Sequence, residues 1–83
     1  MSRRRKNPLR SFEESEKVEL EKISRSHTDH SIRVERAKVL LAVSQGMLYA
    51  EAARVAGRKS SQGVSNLVHR FNERGLEALD SIH

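Results

Sequence analysis

The stretch GMLYAEAARVAGRKSSQGVSNLVHRFNERG, residues 46–75, decides the fold. It predicts two helices joined by a tight turn. The first helix is expected from Leu48 to about Ala56, and one of its faces carries small and aromatic side chains at helical spacing: Tyr49, Ala52, Ala53 and Ala56. We expect Gly57 to end this helix, because glycine adopts the left-handed backbone conformation of a helix C-terminus without steric cost.

The second predicted helix follows a basic turn made by Arg58 and Lys59, and either Ser60 or Ser61 is expected to cap it. A narrow apolar stripe at i, i+3, i+4 and i+7 runs along this helix: Val64, Leu67, Val68 and Phe71. The opposite face is polar and carries Gln62, Asn66, His69 and Glu73, with Ser65 and Arg70 on its flanks. Amides and hydroxyls on an exposed helix behind a basic turn suit reading of the DNA major groove. The stretch therefore predicts a helix-turn-helix DNA-binding unit.

The length and composition of the chain exclude several classes of protein. Its 83 residues suffice for one domain, and a hydrophobic content of 36% allows only a small core. The absence of cysteine excludes disulfides, thiolate metal sites and cysteine catalysis. No apolar run approaches the roughly 18 residues of a membrane span, and the basic start is followed by an acidic segment, unlike a secretory signal. We expect a cytoplasmic, nucleoid-associated protein with no membrane partner.

The net charge of +5 is distributed unevenly along the chain. Residues 1–10 contain five basic residues and no acidic one, whereas residues 11–23 contain five Glu against two Lys. We predict that residues 1–10 form a disordered basic arm and that residues 11–83 form the folded domain. The arm cations can lie on phosphates or enter the minor groove, although a solvated tail would have the same composition: Arg3, Arg4, Arg5 and Lys6.

Two further helices are predicted before the helix-turn-helix stretch. Ser11 and Glu14 fit a capping box that starts a helix ending at about Ser24, with Phe12, Leu20 and Ile23 on one face. Its five Glu would be repelled by phosphates, so this helix is expected to face away from DNA. The next helix, from about Ser31 to Gln45, is apolar almost all round near its end and is therefore expected at the centre of the bundle. After Gly75, an expected left-handed C-cap, Leu76 and Leu79 can fold back on the bundle. The prediction is an all-α helical bundle.

No catalytic or metal-binding constellation emerges from the sequence. No glycine-rich phosphate loop is present, and no nucleophile has an evident base and orienting partner. His27 and His30 have the spacing of a metal pair, but no further ligands cluster with them, so two loop histidines are the simpler interpretation. We expect a protein that is not an enzyme and that needs no cofactor and no metal.

A set of short motifs spans the two helices of the predicted DNA-binding unit and the helix before them. Before the turn these motifs are Arg36-Ala37, Val39-Leu40-Leu41, Gly46, Glu51-Ala52-Ala53 and Gly57; after it they are Val64, Arg70-Phe71-Asn72, Gly75-Leu76 and Leu79. In this register residues 12–80 resemble the N-terminal region of bacterial insertion-sequence transposases of the mariner superfamily. The resemblance implies a homeodomain-like domain that binds the terminal inverted repeats of its own mobile element.

Two departures from that family pattern bear on the prediction. The interval from Gly57 to Val64 is seven residues instead of the commoner six, which leaves open whether Ser60, Ser61 or Gln62 caps the helix and which of them reaches a base. The catalytic domain of these transposases, a ribonuclease-H-like fold with three metal-binding carboxylates, is missing from this chain. We therefore expect a truncated, split or excised piece whose catalytic partner, if any, is encoded separately.

The chemistry of the side chains assigns the expected contacts to double-stranded DNA. Phosphate contacts are predicted for Arg58, Lys59, Arg70 and Arg74, with hydroxyl or backbone contacts from Ser60 and Ser61. Base contacts are predicted for Gln62, Ser65, Asn66 and His69, since Asn and Gln pair bidentately with adenine. Two alternatives stay open at this point: a stand-alone helix-turn-helix transcriptional regulator, and a protein-interaction helical bundle whose basic tail serves solubility or partner capture.

Overall fold

Four α-helices and one short 3-10 helix make up the described part of the chain. A computed structural model describes residues 9–57 and 61–80. The helices are α1 (Glu14–Ser24), α2 (Ser31–Ser44), α3 (Tyr49–Val55) and α4 (Gln62–Arg74), followed by the 3-10 helix Gly75–Leu79. No strand occurs within the described ranges. The predicted all-α bundle is confirmed, and each predicted helix lies within one or two residues of its expected bounds, except that α1 begins later.

Helix α2 is the central element, as its nearly all-round apolar sequence predicts. It contacts α1, α3, α4 and the 3-10 helix. Ala37, Val39 and Leu40 on this helix are completely buried. Burial on several faces at once is possible because the apolar residues of α2 are not restricted to one stripe. The remaining helices pack around it and complete the core with Leu20, Ile23, Ala52, Ala53, Val64, Leu67, Val68, Phe71, Ala78 and Leu79.

Helices α3 and α4 form the predicted helix-turn-helix pair. Ala52 and Ala53 are buried between α3 and its neighbours, where their small side chains allow close approach. Gly57 follows α3 with a φ of +79°, which confirms its predicted role, because a residue with a Cβ is strained at that φ. All four residues of the apolar stripe on α4 are buried. Arg58, Lys59 and Ser60 of the predicted turn lie outside the described residues.

The structure corrects the predicted N-cap of α1 and shows no side-chain cap from Ser61 at the start of α4, whereas Ser60, the alternative cap, lies outside the described residues. Helix α1 begins after Glu13, not after Ser11, and the Glu13 backbone N–H donates to Glu16 Oε1 over 2.9 Å. The carboxylate that closes the first turn is therefore Glu16 instead of Glu14. Ser61 occupies the N-cap position of α4, but its side chain makes no capping hydrogen bond. Its backbone is helical, with φ −79° and ψ −7°, whereas a side-chain cap needs an extended backbone at that position.

The chain entering α1 is held against α4 by a cluster that we call the Arg10 clasp. The Arg10 guanidinium donates to both carboxylate oxygens of Glu16, each over 2.9 Å, and lies 4.5 Å from the centre of the Phe71 ring. The Arg10 backbone N–H donates to Asn72 Oδ1 over 2.9 Å. Leu9 and Phe12 pack against the core beside it. The predicted arm of residues 1–10 therefore extends too far, because Leu9 and Arg10 belong to the folded domain.

The 3-10 helix packs back against the bundle. Leu79 is buried and Leu76 packs against the core, so the predicted return of this segment onto the bundle is confirmed. Arg36 on α2 holds its end, donating from Nη1 to the backbone carbonyl oxygens of Leu79 and Asp80, each over 3.2 Å. Gly75 has the predicted positive φ of 65°, but its ψ of −137° lies outside the left-handed helical region. The chain therefore turns there directly into the 3-10 helix.

The Arg10 clasp makes the stability of the domain dependent on pH. The two hydrogen bonds from Arg10 lower the pKa of the Glu16 carboxyl, against the opposing effect of burial. Since the pKa is lower in the folded state, this stabilisation is present above the unfolded value of about 4.3 and disappears as the pH falls through the folded value. We expect the difference in unfolding free energy between the wild type and Glu16→Gln to shrink as the pH is lowered from about 6 to 2.

Urea unfolding at a series of pH values measures this difference. Glu14→Gln is the matched control, because it removes the same charge from the first turn of α1 and leaves the clasp in place. A Glu16→Gln deficit that stayed constant from neutral to acid pH would contradict the assignment.

Candidate nucleic-acid interface

The outer face of α4 is polar and exposed to solvent. Gln62, Asn66, His69 and Glu73 are all exposed, directly opposite the buried stripe. Three of these four side chains carry amide or imidazole groups that donate or accept hydrogen bonds, as base edges in the major groove do. Burial of the stripe fixes the rotation of α4 about its own axis. The face of α4 that the sequence predicts to read DNA is therefore exposed to solvent. We call this face, formed by Gln62, Asn66, His69 and Glu73, the reading face.

Side chains on this face contact one another along the helix. Gln62 Nε2 donates to Asn66 Oδ1 over 3.2 Å, and His69 Nε2 lies 3.2 Å from a Glu73 carboxylate oxygen. Both pairs are four residues apart, which brings side chains together on a helix surface. The first pair joins the two amide side chains that are able to pair with adenine. In the absence of DNA these two side chains are therefore hydrogen-bonded to each other. The second pair places the acidic Glu73 beside His69, at the end of the face nearer the C-terminus of α4.

The two flanks of the outer face differ in charge. Arg70 and Arg74 lie on one flank, where they line a shallow surface groove together with Asn66, His69 and Glu73. Ser65 and Asn72 lie on the other flank, since residues of a helix advance by about 100° each. Asn72 accepts from the Arg10 backbone on that side. The cations of α4 itself therefore stand along one edge of the reading face only.

The structure brings together seven of the residues predicted to bind DNA. Gln62, Ser65, Asn66, His69, Arg70 and Arg74 share α4, and Ser61 precedes it in an exposed position. Arg58, Lys59 and Ser60, and the arm residues Arg3, Arg4, Arg5 and Lys6, lie outside the described ranges. Sequence reasoning missed Asn72, because its partner Arg10 is 62 residues away and no local pattern connects the two.

The described residues form neither a metal site nor a membrane span. Within residues 9–57 and 61–80, no group of three or more His, Cys, Asp or Glu side chains is placed to hold a metal ion. His27 and His30 thus lie in the link between α1 and α2 with no third ligand gathered around them there. In the same part of the chain, no helix has the length and apolar character needed to cross a membrane.

Comparison with protein families identifies the class of domain. Residues 36–83, more than half of the chain, match the family described as winged helix-turn helix. The chain belongs to this family. The match begins at Arg36 within α2 and covers the rest of α2, α3, α4 and the 3-10 helix. Comparisons with curated proteins and with solved structures gave no match.

Membership of a helix-turn-helix family indicates DNA binding, and it agrees with the exposed polar face of α4. The described residues contain no counterpart of a wing, since α4 is followed directly by the 3-10 helix and not by a strand. The family match says nothing about transposition, so that part of the resemblance remains a prediction.

Proposed function

We propose that this domain binds double-stranded DNA in a sequence-specific manner, with α4 lying in the major groove. The observation that carries the proposal is the outer face of α4, where Gln62, Asn66 and His69 are exposed over a fully buried stripe. An α-helix with its side chains is about 10–12 Å across, and the major groove is about 12 Å wide. The domain is assigned a binding role and no reaction of its own.

The proposed roles of the residues follow from their chemistry and position. Gln62 and Asn66 read base edges, because their amides can donate and accept at once, and His69 and Ser65 supply further contacts. Arg70 and Arg74 bind phosphates, which orients the helix but adds no sequence information. Ser61 precedes the helix and contacts the backbone with its hydroxyl or N–H. The turn residues Arg58, Lys59 and Ser60 would add phosphate contacts at the same end.

We further propose that the DNA recognised is the terminal inverted repeat of a mobile element. The support is the similarity of residues 12–80 to the N-terminal region of mariner-superfamily transposases, together with the family match over residues 36–83. A domain of this kind would deliver a catalytic domain, in the same protein or a separate one, to the ends of the element. A transcriptional regulator built on the same fold would instead recognise a site at a promoter.

Selection of bound duplexes from a random DNA pool tests both proposals: sequence-specific binding, and recognition of the terminal inverted repeats of a mobile element. The selection is made at about physiological salt, which suppresses non-specific phosphate binding. We expect one enriched motif, present at both ends of the mobile element that encodes the protein. A motif found only at promoters would show that the domain belongs to a transcriptional regulator and does not recognise the ends of a mobile element. No enrichment would overturn the proposal and favour a protein-interaction bundle.

Asn66→Ala is expected to relax specificity at one position of the selected motif. Loss of a bidentate contact costs about 1–3 kcal/mol of discrimination against the wrong base, which is roughly a 5- to 150-fold loss. Competition binding with duplexes substituted at each position measures this loss. The matched control is Gln45→Ala, which removes an exposed amide beyond the end of α2 and should leave specificity unchanged. Equal weakening of binding to every duplex would contradict base reading by Asn66.

A further inference from the structure

Glu73 is the one acidic side chain on the reading face, and the contacts proposed with DNA give it no role. Its side chain is 60% exposed, and that of His69 beside it is 57% exposed, so both are accessible to a ligand. A carboxylate is repelled by DNA phosphates, because both carry negative charge. A carboxylate on a surface that meets DNA therefore either faces the bases or opposes binding.

The position of Glu73 on α4 is at the centre of the reading face and not on its charged flank. Counting about 100° per residue, Glu73 lies within about 20° of Asn66 and about 40° of His69. Arg70 and Arg74 lie about 60° and 100° further round the helix, on the flank. When α4 lies in the major groove, the centre of the face meets base edges and the flank meets phosphates. Glu73 thus stands among the base-reading side chains.

The chemistry of a carboxylate limits the base that Glu73 can bind. An ionised carboxylate only accepts hydrogen bonds, so it needs a base edge that donates. In the major groove the donors are the amino groups at N4 of cytosine and N6 of adenine. Adenine also presents its N7 acceptor there, which suits an amide and repels a carboxylate, whereas cytosine presents its donor alone. Glu73 is therefore matched to cytosine.

His69 supplies the donor that the other half of such a base pair requires. The guanine paired with cytosine presents two acceptors, O6 and N7, in the major groove. His69 Nε2 lies 3.2 Å from Glu73 Oε2, so a donor and an acceptor stand side by side on the reading face. A hydrogen-bond donor beside the carboxylate also stabilises its negative charge, which offsets part of the repulsion by the phosphates.

We propose that His69 and Glu73 together read one C·G base pair, with Glu73 accepting from cytosine N4 and His69 donating to O6 or N7 of the guanine. Seven residues separate Glu73 from Asn66, which is about 10.5 Å along the helix axis or roughly three base-pair steps of 3.4 Å. Glu73 is then a specificity-determining residue. This inference rests on the proposed binding of α4 in the major groove.

Selection of bound duplexes with Glu73→Gln, run beside the wild type, tests the proposal. We expect the wild-type motif to contain a C·G pair about three steps from the position that Asn66→Ala relaxes. Glu73→Gln should change this pair to A·T, because glutamine pairs with adenine, and should leave the other positions as they are. In competition binding the wild type should prefer C·G over A·T there by roughly 5- to 150-fold, and the variant should lose or reverse this preference.

Glu77→Gln is the matched control, because it removes an exposed carboxylate from the 3-10 helix just beyond α4. We expect it to select the wild-type motif at every position. His69→Ala, alone and combined with Glu73→Gln, tests whether the two residues act as a pair. His69→Ala should weaken binding more when Glu73 is present, because the carboxylate then faces the DNA without its donor. The side chains changed are all exposed, so the melting curves should stay close to that of the wild type.

The outcomes distinguish this inference from the proposed function. A wild type that selects no motif overturns both. A selected motif that Glu73→Gln leaves unchanged overturns the inference and leaves major-groove binding intact. Equal strengthening of binding to every duplex by Glu73→Gln also overturns it, because the carboxylate would then face phosphates. Equal effects of His69→Ala with and without Glu73 would show that the two side chains do not read the base pair together.

Discussion

Phe71→Ala is expected to lower the free energy of unfolding by about 3–5 kcal/mol, the usual cost of removing a buried aromatic ring from a core. Phe71 is completely buried on α4. Its ring also meets the Phe12 ring edge-on, with centres 5.3 Å apart, and supports the Arg10 guanidinium. A domain of this size has only about 5–15 kcal/mol of stability, so the variant should melt more than about 12 °C below the wild type.

Thermal and urea unfolding followed by circular dichroism measure this effect. His69→Ala on the same helix is the control, because His69 is exposed and a surface substitution there should change stability by no more than about 0.5 kcal/mol. Equal melting temperatures for Phe71→Ala and the wild type would show that the stripe is not the core of the domain.

Gly75→Ala is also expected to destabilise the domain. With φ 65° and ψ −137°, Gly75 has a backbone conformation that residues with a Cβ rarely adopt, and such strain costs about 1–3 kcal/mol. A Cβ there would also stand 3.1 Å from Glu16 Oε2 and 3.3 Å from Arg10 Nη2. The added methyl group therefore pushes against both partners of the clasp, and this disturbance adds to the strain.

The pH dependence of unfolding separates the backbone strain at Gly75 from the disturbance of the Arg10 clasp. Gly57→Ala is the control for a methyl group added at a positive φ without crowding, because no atom lies within 4 Å of a Cβ built there. We expect Gly75→Ala to be the less stable of the two and to lose part of the acid sensitivity that Glu16 confers. Equal destabilisation with unchanged acid sensitivity would show that the clasp tolerates the methyl group.

Features that depend on local periodicity could be predicted from the sequence. The buried stripe on α4 and the central position of α2 follow from the spacing of apolar residues. The role of Gly57 is predictable because a glycine between two periodic segments is typical of a helix end. The reading face follows from the same periodicity, since burial of one side of α4 exposes the other.

Features that depend on distant partners could not be predicted in this way. Ser11 and Glu13 both have a Glu three residues later, so the local pattern offers two starts for α1. The structure uses Glu16, the one Glu of the two that also binds Arg10. The sequence alone does not distinguish Arg10 from the other cations of the basic tail. Its partners Phe71 and Asn72 come beside it only when the chain folds.

The clasp also has a consequence for the order in which the domain assembles during synthesis. It joins residues 62 positions apart, so Arg10 is synthesised well before Asn72. At about 5–20 residues per second, the interval between the two lasts roughly 3–12 s. Until α4 is made, α1 has at most α2 and α3 as companions among the helices described, and α4 does not yet cover the apolar side of the α1–α2 hairpin. The last of the four α-helices to be made is thus the one that both closes this hairpin and, on the function proposed, reads the DNA.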